Sequence, residues 1–97
     1  KAGVEGLVRS AAATYAGNGI RINAVAPGIM DTPAATAILG SAMGRDAAAR
    51  QYPFPGIGSA DELAELMVWL LSDKAARVTG QVWSLDGGFS TIRPLVR

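Results

Sequence analysis

A helix-forming stretch lies between two short apolar runs, and that order constrains the fold more than any other feature of the chain. The first run, Ile20 to Ala26, is apolar apart from Arg21 and Asn23 and ends at Pro27-Gly28. The second, Gln81-Val82-Trp83-Ser84-Leu85, ends at Asp86-Gly87-Gly88. Each has the length of a buried parallel strand. Strands joined through a helix cannot form a tight hairpin; they pair in parallel through a crossover, which is nearly always right-handed. Two parallel strands alone make a marginal sheet, because both outer edges stay unpaired. Further strands are therefore expected, from an upstream part of the same protein or from another chain.

The flanking elements are marked by period and caps. Val4, Leu7, Val8, Ala11, Ala12 and Tyr15 recur at three- and four-residue steps, as one helix face does, and Gly17-Asn18-Gly19 stops that helix. Ser59-Ala60-Asp61-Glu62 has the spacing of a capping box, with acids where the helix dipole favours them. Leu63, Leu66, Met67, Leu70 and Leu71 form the apolar stripe that follows, and the helix is expected to end near Ser72-Asp73. From Ile29 to Gly58 the pattern loosens. Ala34 to Gly44 reads as one short helix and Arg45 to Gln51 as another, while Tyr52-Pro53-Phe54-Pro55-Gly56 cannot continue a helix. This long, weakly patterned stretch reads as a mobile lid beside the Pro-Gly turn. The order is helix, strand, lid, helix, strand, with no internal repeat and no linker.

Composition removes several function classes. The 97 residues are 49% hydrophobic with a net charge of +1, which suits a packed core and gives no general attraction for nucleic acid. There is no Cys and no His, so disulfides, thiolate chemistry, Ser-His-Asp triads and the commonest metal ligands are excluded from these residues. The longest apolar run, Leu66 to Leu71, falls far short of the ~20 residues of a membrane-spanning helix. Asp61, Glu62 and Glu65 are explained by a helix N-terminus, so no metal site is expected. Gly17-x-Gly19 and Gly56-x-Gly58 lack the strand before and the third glycine of a phosphate loop, and both read as turns. A cytoplasmic protein without membrane or nucleic-acid partners is expected.

The turn after the first strand carries the chemistry. Pro27 donates no hydrogen bond, Gly28 offers backbone freedom and removes a side chain where a flat ligand would lie, and Thr32 supplies a small hydroxyl. Ligands of open α/β sheets bind at the carboxyl ends of strands. The segment Asn23-Ala24-Val25-Ala26-Pro27-Gly28-Ile29-Met30-Asp31-Thr32 resembles the N-A-V-x-P-G-x-x-x-T segment of the short-chain dehydrogenase/reductase family. The resemblance implies an α/β fold, the C-terminal part of a Rossmann-like doubly wound parallel sheet. It also implies that Pro27, Gly28, Met30 and Thr32 line the nicotinamide of NAD or NADP, Met30 through backbone groups and Thr32 through its hydroxyl. Asn23 reads as structural, bonding backbone rather than ligand. The opening Lys1-Ala2-Gly3-Val4 is similar to the family segment that begins with the lysine of Tyr-x-x-x-Lys. Lys1 would then be both catalytic, lowering the pKa of a tyrosine four residues upstream, and cofactor-binding, through the nicotinamide ribose hydroxyls.

On this reading, residues 1–97 are the C-terminal segment of a single NAD(P)-binding Rossmann-type domain whose N-terminal half is absent, and the segment alone is inactive. The implied parent is an oxidoreductase moving a hydride between NAD(P)(H) and a small-molecule alcohol or ketone. Two alternatives remain: a 3-oxoacyl-acyl-carrier-protein reductase, which shares N-A-V-A-P-G and D-G-G, and a non-catalytic oligomerisation module. A homo-oligomer, dimer or tetramer, is expected, with Trp83, Phe89 and the tail as interface candidates, while Arg93 and Arg97 read as solvated. The composition of Ala34 to Gly58 points to a nonpolar substrate.

Overall fold

The structure, a computed structural model, describes residues 2–93. Its elements run α1 (Ala2–Tyr15), β1 (Ala24–Pro27), β2 (Met30–Asp31), α2 (Thr36–Leu39), α3 (Ala42–Arg50), β3 (Gly58–Ser59), α4 (Ala60–Leu71) and β4 (Val82–Leu85), with short 3-10 turns after α1, before α2 and after α4. β1 pairs with β4 and β2 with β3. The Ala24 amide donates to the Gln81 carbonyl and the Gly28 amide to the Leu85 carbonyl, both at 2.9 Å. Donor and acceptor advance in the same direction along the two strands, as a parallel pair requires.

Packing groups the residues into two units. One joins the chain through Ala26 with Glu65–Trp83; the other joins Pro27–Ala64 with the residues from Ser84 onward.

In the first unit, α1 is covered at Val8 and Ala12, and Leu70 and Ala75 complete the buried set. The predicted face of α1 is wider than what the described residues cover, since Val4 and Leu7 are 58% and 68% exposed. Gly19 ends the helical run with φ +76°, its amide on the Ala16 carbonyl at 3.0 Å. The strand predicted over Ile20 to Ala26 is shorter than expected, and side chains explain why. The Ile22 amide donates to Thr79 Oγ1 at 3.0 Å, and Asn23 Nδ2 donates to the Val78 carbonyl at 3.0 Å. Arg21 donates to the carbonyls of Leu70 (2.7 Å), Ser72 (3.2 Å) and Val78 (3.3 Å). Two of these accept at the C-terminal end of α4, where helix carbonyls lack intrahelical partners and a cation is favoured. Trp69 and Trp83 meet edge to face, with ring centroids 5.8 Å apart.

In the second unit, β2 and β3 form a parallel pair, Met30 opposite Gly58 and Asp31 opposite Ser59. Two-residue strands leave no period to read, so this pair is invisible in sequence. The expected helices at Ala34 to Gly44 and Arg45 to Gln51 are redrawn. A 3-10 turn (Pro33–Ala35) and α2 come first, and α3 begins at Ala42 because the Ser41 hydroxyl accepts from the Gly44 amide at 3.0 Å. That cap divides the alanine-rich run at Gly40-Ser41 instead of at Gly44. The capping box at the start of α4 is complete: the Ser59 amide donates to Glu62 Oε1 at 2.8 Å, and the Glu62 amide to Ser59 Oγ at 3.1 Å. Among the described residues no helix is long and apolar enough to cross a membrane, and no cluster of acidic residues could hold a metal.

Candidate functional site

The turn leaving β1 lies wholly in the second unit and is held by three neighbouring segments. Pro27, exposed, ends the strand, and the ladder resumes with Gly28 donating to Leu85. Gly28 does not use the backbone freedom expected of it, since its φ lies outside the left-handed region. What it supplies is space. A Cβ there would sit 3.1 Å from Tyr52 Oη, 3.2 Å from Tyr52 Cε1 and 3.2 Å from the Asp86 Cα. The cleared side is thus occupied by the protein itself, which corrects the expectation that the missing side chain makes room for a ligand.

Ile29 follows, and its amide donates to Tyr52 Oη at 2.7 Å. Met30 is buried, and its thioether lies so close to Gly58 that a Cβ there would be 2.7 Å from Met30 Sδ and Cε. Its side chain therefore serves packing, and its backbone is what remains for recognition. The Met30 carbonyl accepts from the Thr32 amide at 2.9 Å. Thr32 is extended (φ −134°, ψ 163°) at the head of the Pro33–Ala35 turn, and its hydroxyl forms no cap bond. Asp31 points to α3, where both Arg45 guanidinium nitrogens reach its carboxylate at 3.1 and 3.3 Å.

The turn after β4 braces the same place. Gly87 and Gly88 have φ of +59° and +85°, and the Asp86 carboxylate accepts from the amides of Gly88 (3.0 Å) and Ser90 (3.1 Å). The Phe54 amide donates to the Gly87 carbonyl at 2.8 Å. Asp86 thereby shapes this turn. Tyr52 and Asp86 are the residues that sequence reading missed. An Asp before Gly-Gly carries an Asx-turn signature that points to Asp86; nothing periodic points to Tyr52.

Of the predicted site residues, Pro27, Gly28, Met30 and Thr32 stand together on this turn, and the Thr32 hydroxyl caps no amide of the Pro33–Ala35 turn. Lys1 lies outside the described residues, as does Arg97. Among the described residues Asn23 bonds backbone, at Val78 and Gln81, as expected of a structural residue.

Residues 1–90 match the family model described as Enoyl-(Acyl carrier protein) reductase. The chain belongs to the short-chain dehydrogenase/reductase family. It is 46% identical over 92 residues to the cis-4-hydroxycyclohexanecarboxylate dehydrogenase of Sinomonas cyclohexanicum, covering 95% of this chain and 36% of that protein. It is 41% identical over 88 residues to the 3-oxoacyl-[acyl-carrier-protein] reductase FabG of Thermotoga maritima, covering 91% and 35% respectively. The structure of ElxO with NADP bound superposes with a TM-score of 0.83 at 33% identity, over 92% of this chain and 36% of that one. The chain thus spans little more than a third of these relatives, and its α/β architecture is that of a segment of the short-chain dehydrogenase/reductase Rossmann-like fold.

Proposed function

We propose that the chain is the C-terminal segment of an NAD(P)-dependent oxidoreductase acting on a small alcohol or ketone. Pro27, Gly28, Met30 and Thr32 line the nicotinamide. The observation that carries this is the state of Thr32. A threonine heading a helical turn ordinarily accepts a hydrogen bond from an amide of the first turn. Here Pro33 occupies the first position and the hydroxyl forms no cap bond. The neighbouring donors Gly28 N–H, Ile29 N–H and Thr32 N–H are all committed within the protein. The turn is thus tied down at its backbone amides and, among the described residues, carries a hydroxyl that makes no cap bond, which suits an amide-bearing ligand. The nicotinamide, when bound, supplies the hydride chemistry; the protein supplies orientation and proton transfer. Lys1 has the proposed role of holding an upstream tyrosine ready to give up its proton and of binding the ribose hydroxyls. The parent works as a homo-oligomer in the cytoplasm.

The similarity to FabG favours 3-oxoacyl-acyl-carrier-protein reduction as the second reading. One assay separates the two. NADH and NADPH oxidation by the enzyme carrying this segment is followed with a cyclic ketone and with a 3-oxoacyl thioester. Turnover of the ketone alone supports the first reading, and preference for the thioester supports the second. No turnover with either, in a folded protein, contradicts both.

A further inference from the structure

We infer that Tyr52 is a positioning residue for the nicotinamide turn, a role that rests on the functional reading above. Tyr52 is buried, 6% exposed, in a segment otherwise made of prolines and bends. Its hydroxyl accepts the Ile29 amide at 2.7 Å, at the short limit for an N–H···O bond. Its ring meets Phe89 edge to face, centroids 5.8 Å apart and planes at 73°, so the phenol has a fixed approach to the turn. The absent Cβ of Gly28 leaves just enough room for that ring, whose Oη and Cε1 would lie 3.1 and 3.2 Å from it.

These contacts set the backbone one residue before Met30 and three before Thr32, the groups proposed to meet the carboxamide. They also close a loop. The chain leaves at Ile29, forms α2 and α3, and returns at Tyr52 onto the amide it left from. Filling a core explains the ring but not the oxygen, because phenylalanine would fill the same space. The hydroxyl holds one particular turn amide, so that the ligand-facing backbone is fixed before any ligand arrives. Misplacing a reacting group by about 1 Å can cost on the order of a hundredfold in rate, so a bond at this position acts on catalysis without touching substrate.

The test is Tyr52→Phe in the enzyme carrying this segment, read in three ways. Hydrogen exchange at the Ile29 amide reports the bond itself. Affinity for whichever of NADH or NADPH the unsubstituted enzyme takes reports the nicotinamide end. Affinity for ADP-ribose, which has the adenosine and pyrophosphate but no nicotinamide, reports the rest of the cofactor site. The expected result is faster exchange at Ile29, reduced-cofactor affinity lowered by about tenfold, and ADP-ribose affinity unchanged. Equal loss for both ligands would mark Tyr52 as general scaffolding and overturn the inference, as would unchanged affinity for both. If Tyr52→Phe does not fold, Phe89→Leu, which removes the partner ring from a largely exposed site, is read by the same comparison. Failure of the unsubstituted enzyme to bind either reduced cofactor would overturn the functional reading, and this inference with it.

Discussion

The Gln81 amide donates to Asn23 Oδ1 at 3.1 Å, while the Gln81 carbonyl accepts from the next residue along, Ala24, at 2.9 Å. A side chain and a backbone amide thus form consecutive rungs between the same two segments, and Asn23 sets the register in which β1 meets β4. Its Nδ2 also donates to the Val78 carbonyl at 3.0 Å. Asn23→Leu, similar in size, leaves the Gln81 amide and Val78 carbonyl without these partners. A stability loss of about 1–3 kcal/mol is expected in denaturant unfolding. A loss within about 0.5 kcal/mol, the range of an ordinary surface change, would show that the side chain does not hold the register.

Arg21 gathers three carbonyls with one planar fork, two of them at the end of α4. A lysine ammonium is a point donor and cannot span them. Arg21→Lys is expected to cost about 1.5–3 kcal/mol and to raise hydrogen exchange in the last turn of α4, with little change near Thr32.

The capping box at Ser59 and Glu62 is reciprocal, so its members act as a pair. Ser59→Ala is expected to cost about 1 kcal/mol. Adding Glu62→Ala should cost less than its effect alone, because the partner is already gone. Strictly additive losses in unfolding experiments would contradict a coupled cap.

Asp31 and Arg45 make a two-pronged ion pair, yet their side chains are 52% and 46% exposed. Exposed pairs contribute roughly 0–1 kcal/mol and are screened by salt. Asp31→Asn is expected to change the thermal midpoint little at low salt and not measurably in molar salt. A large, salt-independent fall would mean that Asp31 does more than meet Arg45.

The elements legible in sequence are those whose evidence is local. The capping box was readable because Ser59 and Glu62 are three residues apart, and the parallel strand order because a helix lies between the two apolar runs. Arg21 and Asn23 were visible as polar intrusions in an apolar strand, although their carbonyl partners were not. Gly28 stands out in sequence as the glycine of a Pro-Gly turn, but the groups its missing side chain admits, Tyr52 and the Asp86 backbone, are distant in sequence and left no local sign. Tyr52 itself was not legible, because its bond to Ile29 spans 23 residues with no periodicity to betray it. The break at Gly40-Ser41 was missed because alanine-rich sequence favours helix on both sides of the cap.

The most direct test of the central claim is an intermolecular nuclear Overhauser measurement on the enzyme carrying this segment, with methyl-labelled threonine and reduced cofactor at saturation. Saturating the nicotinamide ring protons should transfer magnetisation to the Thr32 methyl. Thr32→Val should keep that proximity while weakening cofactor binding by about two- to tenfold, the loss of one neutral hydrogen bond. A bound cofactor whose nicotinamide protons give no signal at Thr32 would contradict the placement of the nicotinamide on this turn.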